Sequence, residues 1–108
     1  MVARGEVWLA RLDPTEGREI QKTRPCLVVS PPEIHDHLET IIAAPLTSGS
    51  RPARYRIPTQ FGDKDGFILL EQIRVLDKRR LVRRLGAIER NTLSAVLTTL
   101  QELFAEEE

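Results

Sequence analysis

Arg24 stands directly before Pro25 and a short apolar, β-rich run, Cys26-Leu27-Val28-Val29-Ser30, which Pro31-Pro32 stops. Proline lacks an amide proton and pushes the residue before it into an extended conformation. The Arg24 guanidinium is therefore held where a polar loop meets a rigid strand. Such a group is permanently charged and can grip two phosphoryl oxygens through parallel hydrogen bonds. On its own it also reads as an ordinary loop ion pair, with Glu19 as partner. Cys26 has no such setting: a catalytic cysteine needs electropositive, partly exposed surroundings and a base, whereas within an apolar strand it reads as a small core side chain. His35-Asp36-His37 has the residue types of a metal or acid–base site, but three adjacent loop residues seldom build a preorganised one, and these read as surface histidines. Trp8, Tyr55, Phe61 and Phe67 are too scattered for a base-stacking platform, and Trp8 reads as core. There is no P-loop, dinucleotide-binding glycine fingerprint, zinc signature or nucleophile elbow.

The elements that must position these groups fit one domain. The chain has 108 residues, 41% hydrophobic and 30% charged, a length that buries one core and leaves no room for two. A single cysteine excludes an internal disulfide and a thiolate metal cluster. No apolar run approaches the ~20 residues of a spanning helix, and Met1 to Glu6 has no apolar signal core, so a cytoplasmic protein without membrane contact is expected. The formal net charge is zero, but residues 1–90 hold all sixteen Lys and Arg against twelve acids. Three arginines crowd into Arg51-Pro52-Ala53-Arg54-Tyr55-Arg56, and five bases lie between Lys78 and Arg84. Such clusters suit a polyanion, and equally an ordinary solvated strand face.

Gly5 to Leu12 alternates and ends at Asp13-Pro14, which predicts a strand entering a turn. Thr15 to Thr23 is polar and predicts an exposed loop. Cys26 to Ser30 predicts a buried strand. Thr40 to Leu46 predicts another, with Pro45 marking an edge or bulge. Thr47-Ser48-Gly49-Ser50 is a small-residue loop, Ala53 to Ile57 a charged strand, and Thr59 to Asp65 a turn-rich loop. Phe67 to Leu70, Ile73 to Leu76 and Leu81 to Ile88 predict short strands. Leu93, Val96, Leu97, Leu100, Leu103 and Phe104 recur at helical spacing on one face, with Asn91 as N-cap and a fraying acidic end at Glu106 to Glu108. Several short strands closed by one helix predict a mainly β fold: a small curled sheet or barrel.

These pieces resemble the MazF/PemK family of toxin endoribonucleases. The likeness lies in Arg4-Gly5-Glu6-Val7-Trp8, Asp13-Pro14, Gly17, Glu19 and Arg24-Pro25, with the β-run ending Ser30-Pro31. It continues through Pro45-Leu46-Thr47 and Leu69-Leu70-Glu71-Gln72-Ile73-Arg74 to Asp77, in order and over nearly the whole chain. One departure is Ile20-Gln21-Lys22-Thr23, which lacks the glycine many members carry there.

The resemblance implies one toxin domain over residues 1–108, an SH3-like barrel of the MazF/CcdB type, acting as a homodimer. It implies cleavage of single-stranded RNA at short sequences, without metal or other cofactor, leaving a 2′,3′-cyclic phosphate and a 5′-hydroxyl. By family analogy Arg24 and Thr47 are catalytic and Glu19 is a loop acid near the site. Ser48 and Gln72 fall on substrate-binding positions, and Lys22, Arg51, Arg54 and Arg56 would track the RNA. The implied partner is an antitoxin whose disordered acidic segment blocks the basic groove, the pair also binding DNA. Charge developing on phosphoryl oxygens would meet the Arg24 guanidinium and a Thr47 hydroxyl donor. Two other readings are a non-catalytic CcdB-like inhibitor of gyrase and a nucleic-acid-binding barrel that does not cut.

Overall fold

The computed structural model describes residues 1–13, 17–19 and 22–107. Expectations for Pro14, Thr15, Glu16, Ile20, Gln21 and Glu108 lie outside the described residues. Seven strands form within them: β1 (Glu6–Arg11), β2 (Thr23–Val28), β3 (Thr40–Thr47), β4 (Arg56–Phe61), β5 (Lys64–Leu69), β6 (Arg74–Asp77) and β7 (Leu81–Ala87). A four-residue helix α1 (Pro32–His35) follows β2, and helix α2 (Arg90–Leu103) ends the fold. The antiparallel sheet runs β4-β5-β3-β2-β1-β7, with β6 also beside β3. The barrel-like, mainly β architecture with a closing helix is the one read from the chain.

β2 is apolar at successive positions because both its faces are buried. Leu27 and Val29 enter one core with Val7, Ala44, Leu46, Ile68 and Leu70, closed by Val96, Leu100 and Leu103 of α2. Cys26 and Val28 enter a second core with Ala10, Leu12, Ile41, Ala43 and Leu76, against which Trp8 packs half-buried. β3 is shared: its start pairs with β6, as Ala43↔Arg74, and its end with β5, as Leu46↔Ile68. Pro45, expected at an edge or bulge, lies in a central strand in the gap between those two ladders. A residue without an amide proton is tolerated there.

Several expectations are corrected. Thr59 to Asp65 is not a loop: β4 and β5 pair from Arg56↔Leu69 to Phe61↔Lys64, leaving a two-residue turn at Gly62-Asp63, with Gly62 at φ +61°. Ala53 makes only an isolated bridge to Arg56, so the charged strand starts three residues later than expected. Asn91 lies inside α2 and Glu89 occupies the N-cap, without a side-chain cap bond. Phe104 falls just past the last turn and is 75% exposed. His35 is not a surface histidine; it is buried, with Nδ1 3.1 Å from Ser30 Oγ. That oxygen also accepts the Ile42 backbone N–H at 3.1 Å, so the buried imidazole is tied through Ser30 to β3.

Candidate active site

Arg24 is the second residue of β2 and pairs with Ala10 of β1. The β2–β3 ladder runs from Val28↔Ala43 to Cys26↔Pro45, and Arg24 and Thr47 each lie two residues beyond its last pair. Thr47 pairs on its other side with Phe67 of β5. Opposed residues of an antiparallel pair project to the same face, and Arg24 and Thr47 both line a cleft of about 160 Å³. Ser48, Phe61, Lys64, Asp65 and Phe67 line it too. Arg24 is exposed and Thr47 half-buried. The Thr47 Oγ1 accepts the Gly49 backbone N–H at 3.3 Å, and a hydroxyl that accepts keeps its own proton to donate.

Glu19 and Gln72 do not line that cleft. They meet in a second one, of about 400 Å³, with Leu12, Pro45, Glu71 and Arg74. Pro45 and Thr47 are alternate residues of one strand and share a face, so the two clefts adjoin along β3. Gln72 is carried there by a single 3-10 turn, Leu70–Gln72, where the chain passes from β5 to β6.

The basic residues divide. Arg56 donates from Nε and Nη2 to Glu71 Oε2, at 3.0 and 2.6 Å, and from Nη1 to the Arg51 carbonyl at 3.1 Å. It also lies 5.8 Å from the Tyr55 ring centroid. The hydrogen bonds to Glu71 hold its pKa above the ordinary arginine value. Arg54 reaches Glu102 of α2 at 3.6 Å. Arg51 and Lys22 are exposed, and the Lys22 backbone N–H donates to Asp13 Oδ1 at 2.9 Å. Phe61 and Phe67, which looked scattered along the chain, share the first cleft. The signal that could have joined them is the Gly-Asp pair at 62–63, a two-residue hairpin turn.

Cys26, two residues along the Arg24 face, is 1% exposed, and burial pushes its thiol up to about 12. It is a packed side chain and no nucleophile. Among the described residues no helix is long and apolar enough to cross a membrane.

A cationic and a hydroxyl side chain lining one cleft, on a small curled sheet closed by a helix, define the class: a compact, mainly β protein with a polar cleft at its strand ends. Residues 3–104 match the profile of the PemK-like, MazF-like toxins of type II toxin–antitoxin systems, and the chain belongs to that family. It is 36% identical over 104 residues to Endoribonuclease MazF of Staphylococcus epidermidis, covering 89% of this chain and 85% of that protein. Its fold is similar to the crystal structure of MazF from Deinococcus radiodurans, with a TM-score of 0.84, 25% identity and 94% of each chain covered. It is similar also to a mycobacterial endoribonuclease solved in complex with its cognate antitoxin, with a TM-score of 0.82 and 23% identity over the whole of both chains.

Proposed function

We propose that this protein is a sequence-specific endoribonuclease toxin that cuts single-stranded RNA without a metal and so halts translation. The observation that carries the reading is that Arg24 and Thr47, the two residues the family likeness offers as catalytic, line one cleft. In the reaction, the 2′-oxygen beside the scissile phosphate attacks phosphorus and loses its proton. The bond from phosphorus to the 5′-oxygen breaks, and that oxygen takes up a proton. The products are a 2′,3′-cyclic phosphate and a 5′-hydroxyl. Negative charge grows on the two non-bridging oxygens, where the Arg24 guanidinium and the Thr47 hydroxyl donate. Arginine keeps its proton, so Arg24 is not the base. The family likeness offers Glu19 as the carboxylate for that proton, although it lines the second cleft with Gln72 rather than the first; a histidine, or charge stabilisation without a base, are the other routes. Ser48, at the mouth of the first cleft, with Lys22, Arg51, Arg54 and Arg56, binds the flanking chain.

The working unit in this reading is a cytoplasmic homodimer, neutralised by an antitoxin with an acidic, disordered segment that folds onto the basic surface. The test is to incubate the protein with total bacterial RNA in EDTA and map the new ends. Discrete cuts bearing cyclic phosphates are expected, and Arg24→Ala should remove them. Cutting that persists in Arg24→Ala, or no cutting by the unaltered protein, rejects the reading.

A further inference from the structure

The turn between β6 and β7 reaches across the sheet edge to the segment that feeds Arg24. This turn, Lys78–Arg80, is a single 3-10 turn fixed by Asp77, whose Oδ1 accepts the Arg79 backbone N–H at 2.8 Å. From it, Arg80 Nη1 donates to two main-chain carbonyls, those of Arg11 at 3.1 Å and Asp13 at 2.6 Å. Arg11 returns the contact, its Nη2 donating to the Arg79 carbonyl at 2.8 Å. Asp13 then passes the constraint on: its carboxylate accepts the Lys22 N–H at 2.9 Å, while the Leu12 N–H donates to the Lys22 carbonyl at 2.8 Å. Lys22 sits at φ +68°, a left-handed conformation disfavoured for any residue with a Cβ, so it must be held there by its neighbours. β2 begins at the next residue, and Arg24 follows.

The sheet itself does not need this bridge. β1 and β7 already pair from Glu6↔Ala87 to Ala10↔Leu81, and Arg80 grips the chain just beyond the end of that ladder. Its two bonds therefore act on where β1 ends and β2 starts.

We propose that Arg80 is a positioning residue for RNA cleavage, acting through Asp13 and Lys22 to fix where the Arg24 guanidinium stands in the cleft it shares with Thr47. The inference rests on the reading of Arg24 and Thr47 given above. A permanently charged, planar fork can hold two carbonyls at once, and a displacement of about 1 Å at a reacting group can lower a rate by about a hundredfold.

The experiment compares the unaltered protein with Arg80→Ala and Arg80→Lys. It uses an oligoribonucleotide carrying the cut site mapped for the unaltered protein, together with amide exchange by NMR. In Arg80→Ala, kcat should fall about ten- to a hundredfold with KM within about twofold, and Arg80→Lys should recover part of the loss. Exchange at Leu12 and Lys22 should quicken about tenfold or more, with Leu27 and Ile41 unchanged. Unchanged kcat with unchanged exchange at Lys22 overturns the proposal. Faster exchange spread equally to Leu27 and Ile41 overturns it too, as a general loss of stability. A raised KM with a shallower salt dependence and intact kcat would make Arg80 a phosphate contact instead. If the unaltered protein cuts nothing, the cleavage reading falls and the catalytic part of this proposal with it, while exchange at Lys22 still decides whether Arg80 holds the segment.

Discussion

Gly66 of β5 lies so close to Thr47 that a Cβ built on it would sit 2.3 Å from the Thr47 carbonyl oxygen and 3.2 Å from the Ser48 Cα. Both are backbone atoms, so neither can swing aside. Gly66→Ala should push the end of β3 away, costing about 1–3 kcal/mol as an overpacked contact and slowing cleavage by moving Thr47. Thermal unfolding and cleavage rates on the same samples test this. Gly49, where a Cβ would meet open space, is the stability control, since Gly49→Ala should stay within about 0.5 kcal/mol.

Arg24→Ala and Thr47→Ala should each cut the rate by about two to three powers of ten, the loss seen when one preorganised oxyanion donor is removed. Stability should move by no more than about 1 kcal/mol, because Arg24 is exposed and Thr47 only half-buried. Single-turnover cleavage and a melting curve separate the two effects. A large fall in melting temperature would make either residue structural.

Arg51 and Arg56 should respond differently to removal. Arg51→Ala should weaken RNA binding and lower the slope of log affinity against log salt by about one. Arg56→Ala should also lower the melting temperature, since its guanidinium is bound to Glu71 and to the Arg51 carbonyl. Binding titrations across a salt series, paired with melts, read both.

Lys22 holds its φ of +68° with a side chain that disfavours it. Lys22→Gly should relieve roughly 1 kcal/mol of backbone strain, set against the entropy glycine adds to the unfolded chain. A net change between zero and a small stabilisation is expected in urea unfolding. A clear destabilisation would mean that the Lys22 side chain contributes contacts of its own.

Cys26 predicts a pH effect whose sign is fixed by burial. Its folded thiol is pushed up to about 12, with Arg74 pulling weakly the other way. The unfolded thiol titrates near 8.5. The thiol's contribution to stability is complete below that value and is lost as pH rises toward 12, a loss on the order of 5 kcal/mol across the window. Cys26→Ala should show a shallower alkaline decline than the unaltered protein in urea melts at successive pH values.

What the chain disclosed follows from which signals are local. β2 and α2 were legible because a doubly buried strand and a one-sided helix write their burial into consecutive residues, as in Leu27-Val28-Val29 and in Val96, Leu100 and Leu103. The β4–β5 hairpin was missed because Pro58, Thr59 and Gln60 look like loop residues until Gly62-Asp63 is read as a tight turn. His35 was misplaced because its burial depends on Ser30 and on the Ile42 amide, neither of which marks the histidine in sequence. Pro25 alone makes Arg24 extended at the head of a strand expected to begin at Cys26; β2 in fact begins at Thr23, so Arg24 lies inside it. Its sharing of a cleft with Thr47 depends on the pairing of β2 with β3, and the placing of Glu19 in a different cleft depends on packing between segments distant in sequence.

β2 forms a common wall between two small interiors and carries Arg24 at its leading end. Loosening on either side of that wall is felt by the same strand, so melting of either interior should cost the guanidinium its aim. Cutting should therefore be lost on heating no later than the cores themselves, and an active form with one interior melted should not accumulate.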